Sequence, residues 1–201
     1  MTHRLYLNDD WLFTEQFEDS LVAPEYPENT LQPVRLPHTC KETPFHYFDE
    51  SLYQMVSGYR RDVYIPEEWK GKRLLLTIDG AAHESEVYWN GKKIGEHHCG
   101  YTAFTMDISD DAVYGIRNTL VVKVDSRESV NIPPFGFVID YMTYGGLYRE
   151  VWLDIKEKTY LKDVFVRGDL SGDTGRLISE ITADGSGENL SVRQKIRRCG
   201  E

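Results

Sequence analysis

Two short clusters of ionisable side chains could do chemistry in this sequence. Glu84 and Glu86 are two residues apart, so both carboxylates lie on one face if the segment is a strand, as an acid and base pair would need. A solvated strand face carries such a pair without any special role, and we favour that interpretation. His97 and His98 precede Cys99, but adjacent side chains of a strand point to opposite faces and rarely chelate one ion. Neither cluster therefore predicts a catalytic or metal-binding site.

A third candidate lies in the segment from Ser129 to Gly146, which has no hydrophobic period. Loops of this length in a compact domain are usually functional. Within it, the ionised carboxylate of Asp140 can accept two hydrogen bonds from a ligand, whereas the alternative is an aspartate that forms a turn. Four aromatic side chains could present apolar faces to a ligand or pack against another domain. They are Phe135, Phe137, Tyr141 and Tyr144.

The elements that must position these residues read as strands. Polar and apolar residues alternate over residues 59–65 and 74–79, and the Asn90-Gly91 pair suits the two positive-φ positions of a type I′ hairpin turn. Further strands are predicted over residues 118–125 and 147–155. The best helical stretch, Ser109 to Tyr114, is a turn or so, with Ser109 as its cap and Gly115 as its stop. Many short strands without helices predict an all-β antiparallel sandwich.

Two regions depart from this rhythm. Residues 24–55 contain five of the eight prolines and predict irregular chain laid over the sandwich. After a charged connector at residues 156–159, three more strands are predicted over residues 161–166, 176–182 and 190–196. Three strands do not close a sandwich, since an immunoglobulin-like domain needs about seven. We therefore expect a fragment boundary at the end of this chain and a parent polypeptide that continues.

Composition excludes several classes of function. The 201 residues contain 23 Lys and Arg against 33 Asp and Glu, a net charge of −10, which opposes nucleic-acid binding. No window is apolar enough for a spanning helix, and no signal peptide begins the chain, so we expect a soluble cytoplasmic protein without a membrane partner. The three cysteines are widely spaced, which predicts free thiols.

Several motifs, taken together and in order, carry a family resemblance. They are Tyr59-Arg60-Arg61, the Val87-Tyr88-Trp89-Asn90-Gly91-Lys92 hairpin, and Gly145-Gly146-Leu147-Tyr148-Arg149. Residues 4–155 resemble the N-terminal sugar-binding domain of the β-galactosidase and β-glucuronidase family (family 2) of glycoside hydrolases. The remainder resembles the start of the immunoglobulin-like second domain of that family.

The resemblance implies a galactose-binding-like jelly-roll β-sandwich over residues 1–155 and an incomplete immunoglobulin-like domain over residues 156–201. It also implies a later (β/α)₈ barrel as the domain's partner, in which two glutamates perform retaining hydrolysis of a β-glycosidic bond. This chain should lack both glutamates and be inactive alone. It should need no cofactor itself, although the full enzyme could use sodium or magnesium and assemble as a homo-oligomer.

The resemblance also assigns roles to residues. Asp140 lies six residues before Gly146, where β-galactosidases carry an aspartate that binds the galactosyl ring and can coordinate a monovalent cation. Tyr141 and Tyr144 are the accompanying substrate-binding candidates. His38 is expected to order a loop. Tyr148 and Arg149 are expected to be structural, with the guanidinium of Arg149 suited to a carboxylate of the neighbouring domain.

Three hypotheses for function follow. The first is the N-terminal non-catalytic domain of a retaining β-glycosidase that acts on a β-galactoside, with β-glucuronide and β-mannoside as alternative substrates. An aspartate at position 140 suits neutral hydroxyls and would repel a uronate carboxylate unless a cation intervened. The second is a free-standing carbohydrate-binding module. The third is a structural spacer or oligomerisation element in which Asp140 has no special role.

Overall fold

The described part of the protein is built from strands and short 3-10 helices. The computed structural model describes residues 3–42, 46, 49–133, 143–185 and 190–197. Within these residues the fold is all-β, as predicted, and no helix is long and apolar enough to cross a membrane. The strands are β1 (His3–Tyr6), β2 (Trp11–Thr14), β3 (Gln32–Val34), β4 (Val56–Ile65), β5 (Arg73–Ile78), β6 (Glu84–Trp89), β7 (Lys92–His97), β8 (Phe104–Asp107), β9 (Ile116–Asp125), β10 (Val151–Lys156), β11 (Tyr160–Ser171) and β12 (Thr174–Asp184). The 3-10 helices are Asp19–Val22, Glu28–Thr30, Glu50–Tyr53 and Glu67–Trp69.

The chain divides into two compact units between Lys156 and Glu157. The first unit contains two antiparallel sheets, a four-stranded one in the order β1-β10-β5-β8 and a six-stranded one in the order β3-β2-β4-β9-β6-β7. Alternate side chains of both sheets form one apolar core, because successive strand residues point to opposite faces. Trp11, Tyr59 and Trp89 are its largest buried aromatic residues on the six-stranded sheet, and Leu76 and Leu153 face them from the other sheet's strands.

The β6–β7 hairpin follows the sequence prediction. Asn90 has φ 49° and Gly91 has φ 84°, the positive values that a type I′ turn requires. The Asn90 side chain also fixes the turn to β9, since its Nδ2 donates to Asn118 Oδ1 at 2.7 Å and its Oδ1 accepts from the Thr119 amide at 2.8 Å. The turn is therefore held by both backbone preference and side-chain hydrogen bonds.

Two predicted elements of the first unit were wrong in detail. The strand expected from residue 147 begins at Val151, because Gly146 adopts φ 110° and the following backbone pairs with the His38 loop instead. Residues 109–114 form a short turn, as predicted, but Ser109 does not cap it. Asp107 supplies the side-chain acceptor for the Ser109 amide at 2.9 Å, while the Ser109 hydroxyl accepts from the Leu74 amide and is unavailable as a helix cap.

Residues 24–55 are largely irregular in their described part, as predicted, but contain β3 and two 3-10 helices. Strand β3 has three residues and lies at the edge of the six-stranded sheet. Pro33 is tolerated there, because an edge strand does not need every backbone N–H for pairing. A short edge strand that contains a proline is easily missed in a sequence.

The second unit contains one two-stranded antiparallel ribbon, β11–β12, in its described residues. Both strands are longer than predicted, and the third strand expected over residues 190–196 is wrong, because that stretch has no ladder partner among the described residues. An immunoglobulin-like identity for this unit stays a prediction.

Candidate functional site

The segment predicted to carry the site is described at both of its ends. Residues 129–133 and 143–146 belong to the described chain, whereas Asp140, Tyr141, Phe135 and Phe137 lie outside it. Tyr144 is described and is half exposed, with its ring 5.4 Å from the ring of buried Tyr53 in an edge-on arrangement. Of the three predicted substrate-binding residues, the structure therefore places only Tyr144.

The chain enters this segment through a set of backbone and side-chain hydrogen bonds. The amide of Ser126 donates to the carbonyl of Met55 at 3.0 Å, and the amide of Glu128 donates to Gln54 Oε1 at 2.8 Å. A bridge between Ser129 and Ile132 tightens the next turn. These contacts hold the first arm of the segment to the chain that leads into β4.

The chain leaves the segment through contacts with two other loops. The Gly145 carbonyl accepts from the Cys40 amide at 2.9 Å, and the Ala82 amide donates to the Gly146 carbonyl at 3.1 Å. Thr143 links the two arms, since its Oγ1 donates to Glu128 Oε1 at 3.4 Å. We call residues 126–128 and 143–146, with these contacts, the loop base.

Positions 145 and 146 of the loop base have no room for a side chain, so both require glycine. A Cβ at position 145 would lie 2.4 Å from the Ser126 Cβ, and one at position 146 would lie 2.6 Å from Tyr59 Oη and 2.8 Å from the His38 carbonyl oxygen. Gly146 also has φ 110°, where residues with a side chain are strained. The close approach of three loops therefore depends on the Gly145-Gly146 pair.

His38 orders this region, in agreement with the role expected for it. Its backbone amide donates to the Leu147 carbonyl at 2.8 Å, its Nδ1 lies 2.9 Å from Tyr59 Oη, and its ring packs 4.8 Å from that of Phe13. Burial lowers the pKa of His38 and raises that of Tyr59. Both groups are therefore held neutral at pH 7 and act by packing and hydrogen bonding.

His83 lies beside the loop base in an unusual state. Its side chain is buried, neither ring nitrogen has a hydrogen-bond partner, and its backbone amide donates to the Asp125 carbonyl at 2.9 Å. Burial is the main cause of a lowered pKa, which the charges of Glu128 and Asp125 partly oppose. The imidazole therefore stays neutral. Ser85 Oγ, one position along the same face, is buried and unpaired as well.

Glu84 and Glu86 lie on the outer face of β6, as predicted, and each is paired with cations. Glu86 accepts from Lys123 Nζ at 2.9 Å and from Tyr88 Oη at 2.6 Å. The Tyr88 hydrogen bond, followed by that of Lys123, lowers the pKa of Glu86 to about 2. Glu84 accepts from His98 Nδ1 at 3.1 Å, which raises the pKa of His98. Both carboxylates therefore have partners at the surface, which supports the interpretation as a solvated strand face.

The two adjacent histidines have separate partners. The His97 ring stacks on Phe104 with 4.4 Å between centroids, whereas His98 contacts glutamates. Across the described ranges no group of three or more His, Cys, Asp or Glu side chains could hold a metal ion. Because Asp140 lies outside those ranges, the sodium or magnesium expected for a full enzyme stays a prediction. The described thiols, Cys40 and Cys99, are free.

Tyr148 and Arg149 contact backbone within the first unit. Tyr148 Oη donates to the Gly100 carbonyl, and Arg149 Nη1 lies 3.2 Å from the Tyr101 carbonyl and 3.4 Å from the Asp79 carbonyl. Where the sequence predicted a carboxylate of another domain as the partner of Arg149, these contacts are carbonyls of the same domain. They tie the chain after the loop base to the loops on either side of it.

Sequence reasoning missed most of the loop base. Gln54 and Glu128 are 74 residues apart, and Thr39 and Gly145 are 106 apart, so no local pattern links them. The one available signal was the Gly145-Gly146 pair, which indicates a close backbone approach.

Comparison with known proteins identifies the family to which this sandwich belongs. Residues 6–156 match the family described as "Glycosyl hydrolases family 2, sugar binding domain". The chain belongs to this family. The family 2 match confirms the resemblance seen in the sequence motifs and spans almost the whole of the first unit.

Relatives of this family 2 chain are much longer proteins. It is 40% identical over 188 residues to a β-galactosidase of Thermoanaerobacter pseudethanolicus, an alignment that covers 93% of this chain and 25% of that enzyme. It is 35% identical over 155 residues to a β-glucuronidase of Bacteroides fragilis, covering 77% and 21% respectively. The chain thus spans about a quarter of the length of these curated relatives.

Solved structures share the fold. A β-glucuronidase of an uncultured Clostridium species superposes with a TM-score of 0.77 at 25% identity, covering 92% of this chain and 34% of that one. The apo structure of a Ruminococcus gnavus β-glucuronidase gives 0.77 at 24% identity over 92% and 34%. The predicted fold class is confirmed by these matches together with the two antiparallel sheets.

Proposed function

We propose that this chain is the N-terminal, non-catalytic domain of a longer retaining β-glycosidase. It supports a catalytic (β/α)₈ barrel and contributes residues 129–146 to the sugar pocket. The observation that carries the proposal is the loop base, in which both arms of this segment are fixed to a rigid sandwich of the family 2 type. A segment held at both ends can present side chains to a neighbouring domain at low entropic cost.

Three residues of the segment would serve the sugar. Asp140 would accept hydrogen bonds from two hydroxyls of the glycone, and Tyr141 and Tyr144 would line the pocket. Tyr144 supports this assignment through its half-exposed ring, which buried Tyr53 holds in place from one side.

The hydrolysis itself belongs to residues outside this chain. Retaining hydrolysis needs one carboxylic acid to protonate the leaving oxygen and one carboxylate nucleophile, with the two groups about 5 Å apart. The carboxylates described at Glu84 and Glu86 are engaged by Lys, Tyr and His side chains and do not supply this pair. The 201-residue chain alone should therefore be inactive.

A β-galactoside is the favoured substrate. A β-galactosidase stands at 40% identity, above the β-glucuronidase at 35%, and an aspartate at position 140 suits a neutral sugar better than a uronate. β-Glucuronides and β-mannosides are the alternatives.

The test is a paired assay of the chain and of the parent polypeptide that carries it, on chromogenic β-galactoside, β-glucuronide and β-mannoside. We expect turnover by the parent only, fastest on the β-galactoside. Asp140→Asn in the parent should reduce kcat/KM by about 100-fold at unchanged thermal stability, because a pocket interaction is lost. Exposed Asp110, changed to Asn, is the matched control and should leave kcat/KM unchanged. Equal activity of D140N and D110N would exclude the pocket role, and hydrolysis by the chain alone would overturn the non-catalytic assignment.

A further inference from the structure

A groove of about 850 Å³ opens in the six-stranded sheet between β2–β3 and the end of β4. Strand β4 pairs with β9 along its whole length, but on its other side it pairs with β2 only through residues 58–60. The chain before β2 turns away at Asp10, which has φ 60°, a conformation that aspartate tolerates better than most residues. The divergence of these strands leaves the groove.

An exposed aromatic ring forms one side of the groove. Tyr64 is 56% exposed and lies opposite Arg117 in the register of β4 and β9. Pro33 and Leu12 line the groove from β3 and β2. An aromatic ring with a polar tip offers an apolar face to the C–H side of a pyranose and a hydroxyl to its rim.

Planar polar groups surround this ring. The carboxylate of Asp62 lies on the same face of β4, with its Oδ2 3.8 Å from Arg117 Nη1. Arg61 Nη1 donates to the Asp9 carbonyl, while Arg61 Nε is buried without a hydrogen-bond partner. The guanidinium of Arg117, by contrast, is 77% exposed and can donate to a ligand in the groove. Carboxylates accept and guanidinium groups donate in a plane, as adjacent sugar hydroxyls require.

The charges that line the groove balance one another. Three arginines and three carboxylates line it, although the chain as a whole carries a charge of −10. A groove without net charge on an acidic protein favours a neutral ligand over an anion or a cation. The lining charged residues are Arg35, Arg61, Arg117, Asp10, Glu28 and Asp62.

We infer that this groove is a second carbohydrate site, which takes a neutral pyranoside through Tyr64, Asp62 and Arg117. It is separate from the proposed pocket segment. Tyr64 is eight residues along β4 from Val56, which pairs with Asp125 next to the loop base, and a strand of that length spans about 26 Å. The site therefore neither needs nor tests the proposed role of residues 129–146.

The experiment is a titration of the ¹⁵N-labelled 201-residue chain with methyl β-galactopyranoside, followed by ¹H–¹⁵N correlation spectra. We expect saturable shifts at residues 10–12, 34–35, 61–64 and 117, with a Kd on the order of 1–10 mM. Glucuronic acid, the anionic probe, should bind at least about 5-fold more weakly because the groove carries no net positive charge.

Two variants test the groove directly. Tyr64→Ala should weaken binding about 10-fold, and Arg117→Gln, whose side chain is 77% exposed, should weaken it without any effect on folding. Tyr6→Ala is the matched control, because Tyr6 is 51% exposed on the four-stranded sheet, and it should bind as the parent sequence does.

Four results of the titrations with sugar would overturn the inference. They are the absence of shifts at about 100 mM sugar, shifts confined to the loop base, tighter binding of the uronate, and equal losses in Y64A and Y6A. Shifts at the groove that depend on protein concentration in the absence of sugar would also overturn it, because they would identify a contact between copies of the chain.

Discussion

Gly146 occupies a position that no residue with a side chain fits without strain. Gly146→Ala combines a φ of 110° with contacts of 2.6 Å to Tyr59 Oη and 2.8 Å to the His38 carbonyl oxygen. We expect the free energy of unfolding to fall by about 2–4 kcal/mol, measured by urea denaturation. Gly91→Ala is the control, since it shares the positive φ but meets only one atom, at 3.8 Å, and should cost about 1 kcal/mol. Equal losses would mean that close packing at the loop base contributes nothing.

Glu86 should make stability depend on pH in the acid range. Its pKa falls from 4.5 to about 2 in the folded chain, so the unfolded chain binds a proton first as the pH drops. The contribution of Glu86 is therefore complete above pH about 4.5 and is lost as the pH falls towards 2. Glu86→Gln should lower the free energy of unfolding at pH 7 by about 0.5–1 kcal/mol, with the difference vanishing near pH 2.

Urea unfolding from pH 7 to pH 2 measures this dependence. Glu68→Gln, at an exposed position, serves as the control and should track the parent sequence. A Glu86→Gln difference that stays constant with pH would contradict the assignment, because a constant loss reflects packing and not titration.

Sequence reasoning found single residues where a local rule applies and missed them where the partner is remote. Asn90 and Gly91 were predicted because a two-residue hairpin turn needs positive φ at both positions. Tyr144 was predicted from its aromatic, aperiodic surroundings and lies at the loop base. Gln54 was missed, because its role is to accept a hydrogen bond from the Glu128 amide, and no residue near Gln54 in the sequence indicates that partner.

Among elements, the strands that were predicted are those with buried alternate residues. Strands β4, β5, β6 and β9 have apolar side chains buried on one face, which gives the period of two. Strands β1 and β8 lie at sheet edges and have no fully buried residue, so the apolar period of two is weak in them and they were missed. The composition of residues 190–196 resembles a strand, but a strand also needs a partner, and composition cannot supply one.

The first arm of the loop base should loosen when its side-chain acceptor is removed. Gln54→Leu deletes the acceptor of the Glu128 amide while keeping a similar volume. We expect hydrogen exchange at the Glu128 amide to accelerate about 5- to 10-fold, which corresponds to the loss of one hydrogen bond worth about 1 kcal/mol. Native-state exchange followed by NMR measures this rate.

Gln16→Leu is the matched control, because the Gln16 side chain is exposed and the substitution is the same. Its exchange pattern at residues 126–128 should equal that of the parent sequence. An unchanged Glu128 rate in Q54L would show that the arm is held by the remaining contacts alone.

On the scale of the whole molecule, the two units should differ sharply in resistance to proteolysis. The first unit has a continuous buried core, whereas most side chains of β11 and β12 are exposed and a two-stranded ribbon is marginally stable. Trypsin should therefore cut first at Arg193, Lys195 or Arg197, then within the ribbon, and leave a fragment that ends near residue 156–158. Mass spectrometry of a limited digest identifies the order of cleavage. Early cleavage within residues 56–125 would contradict this expectation.

The loop base also bears on how such domains diversify. Both arms of residues 129–146 are fixed by partners that lie in other segments, namely Gln54, Cys40 and Ala82. Residues between the arms can then change in length and composition without disturbing the sandwich, so that selection can act on them alone. Relatives could therefore exchange this segment, and with it their ligand preference, as long as the Gly-Gly pair that anchors its second arm is retained.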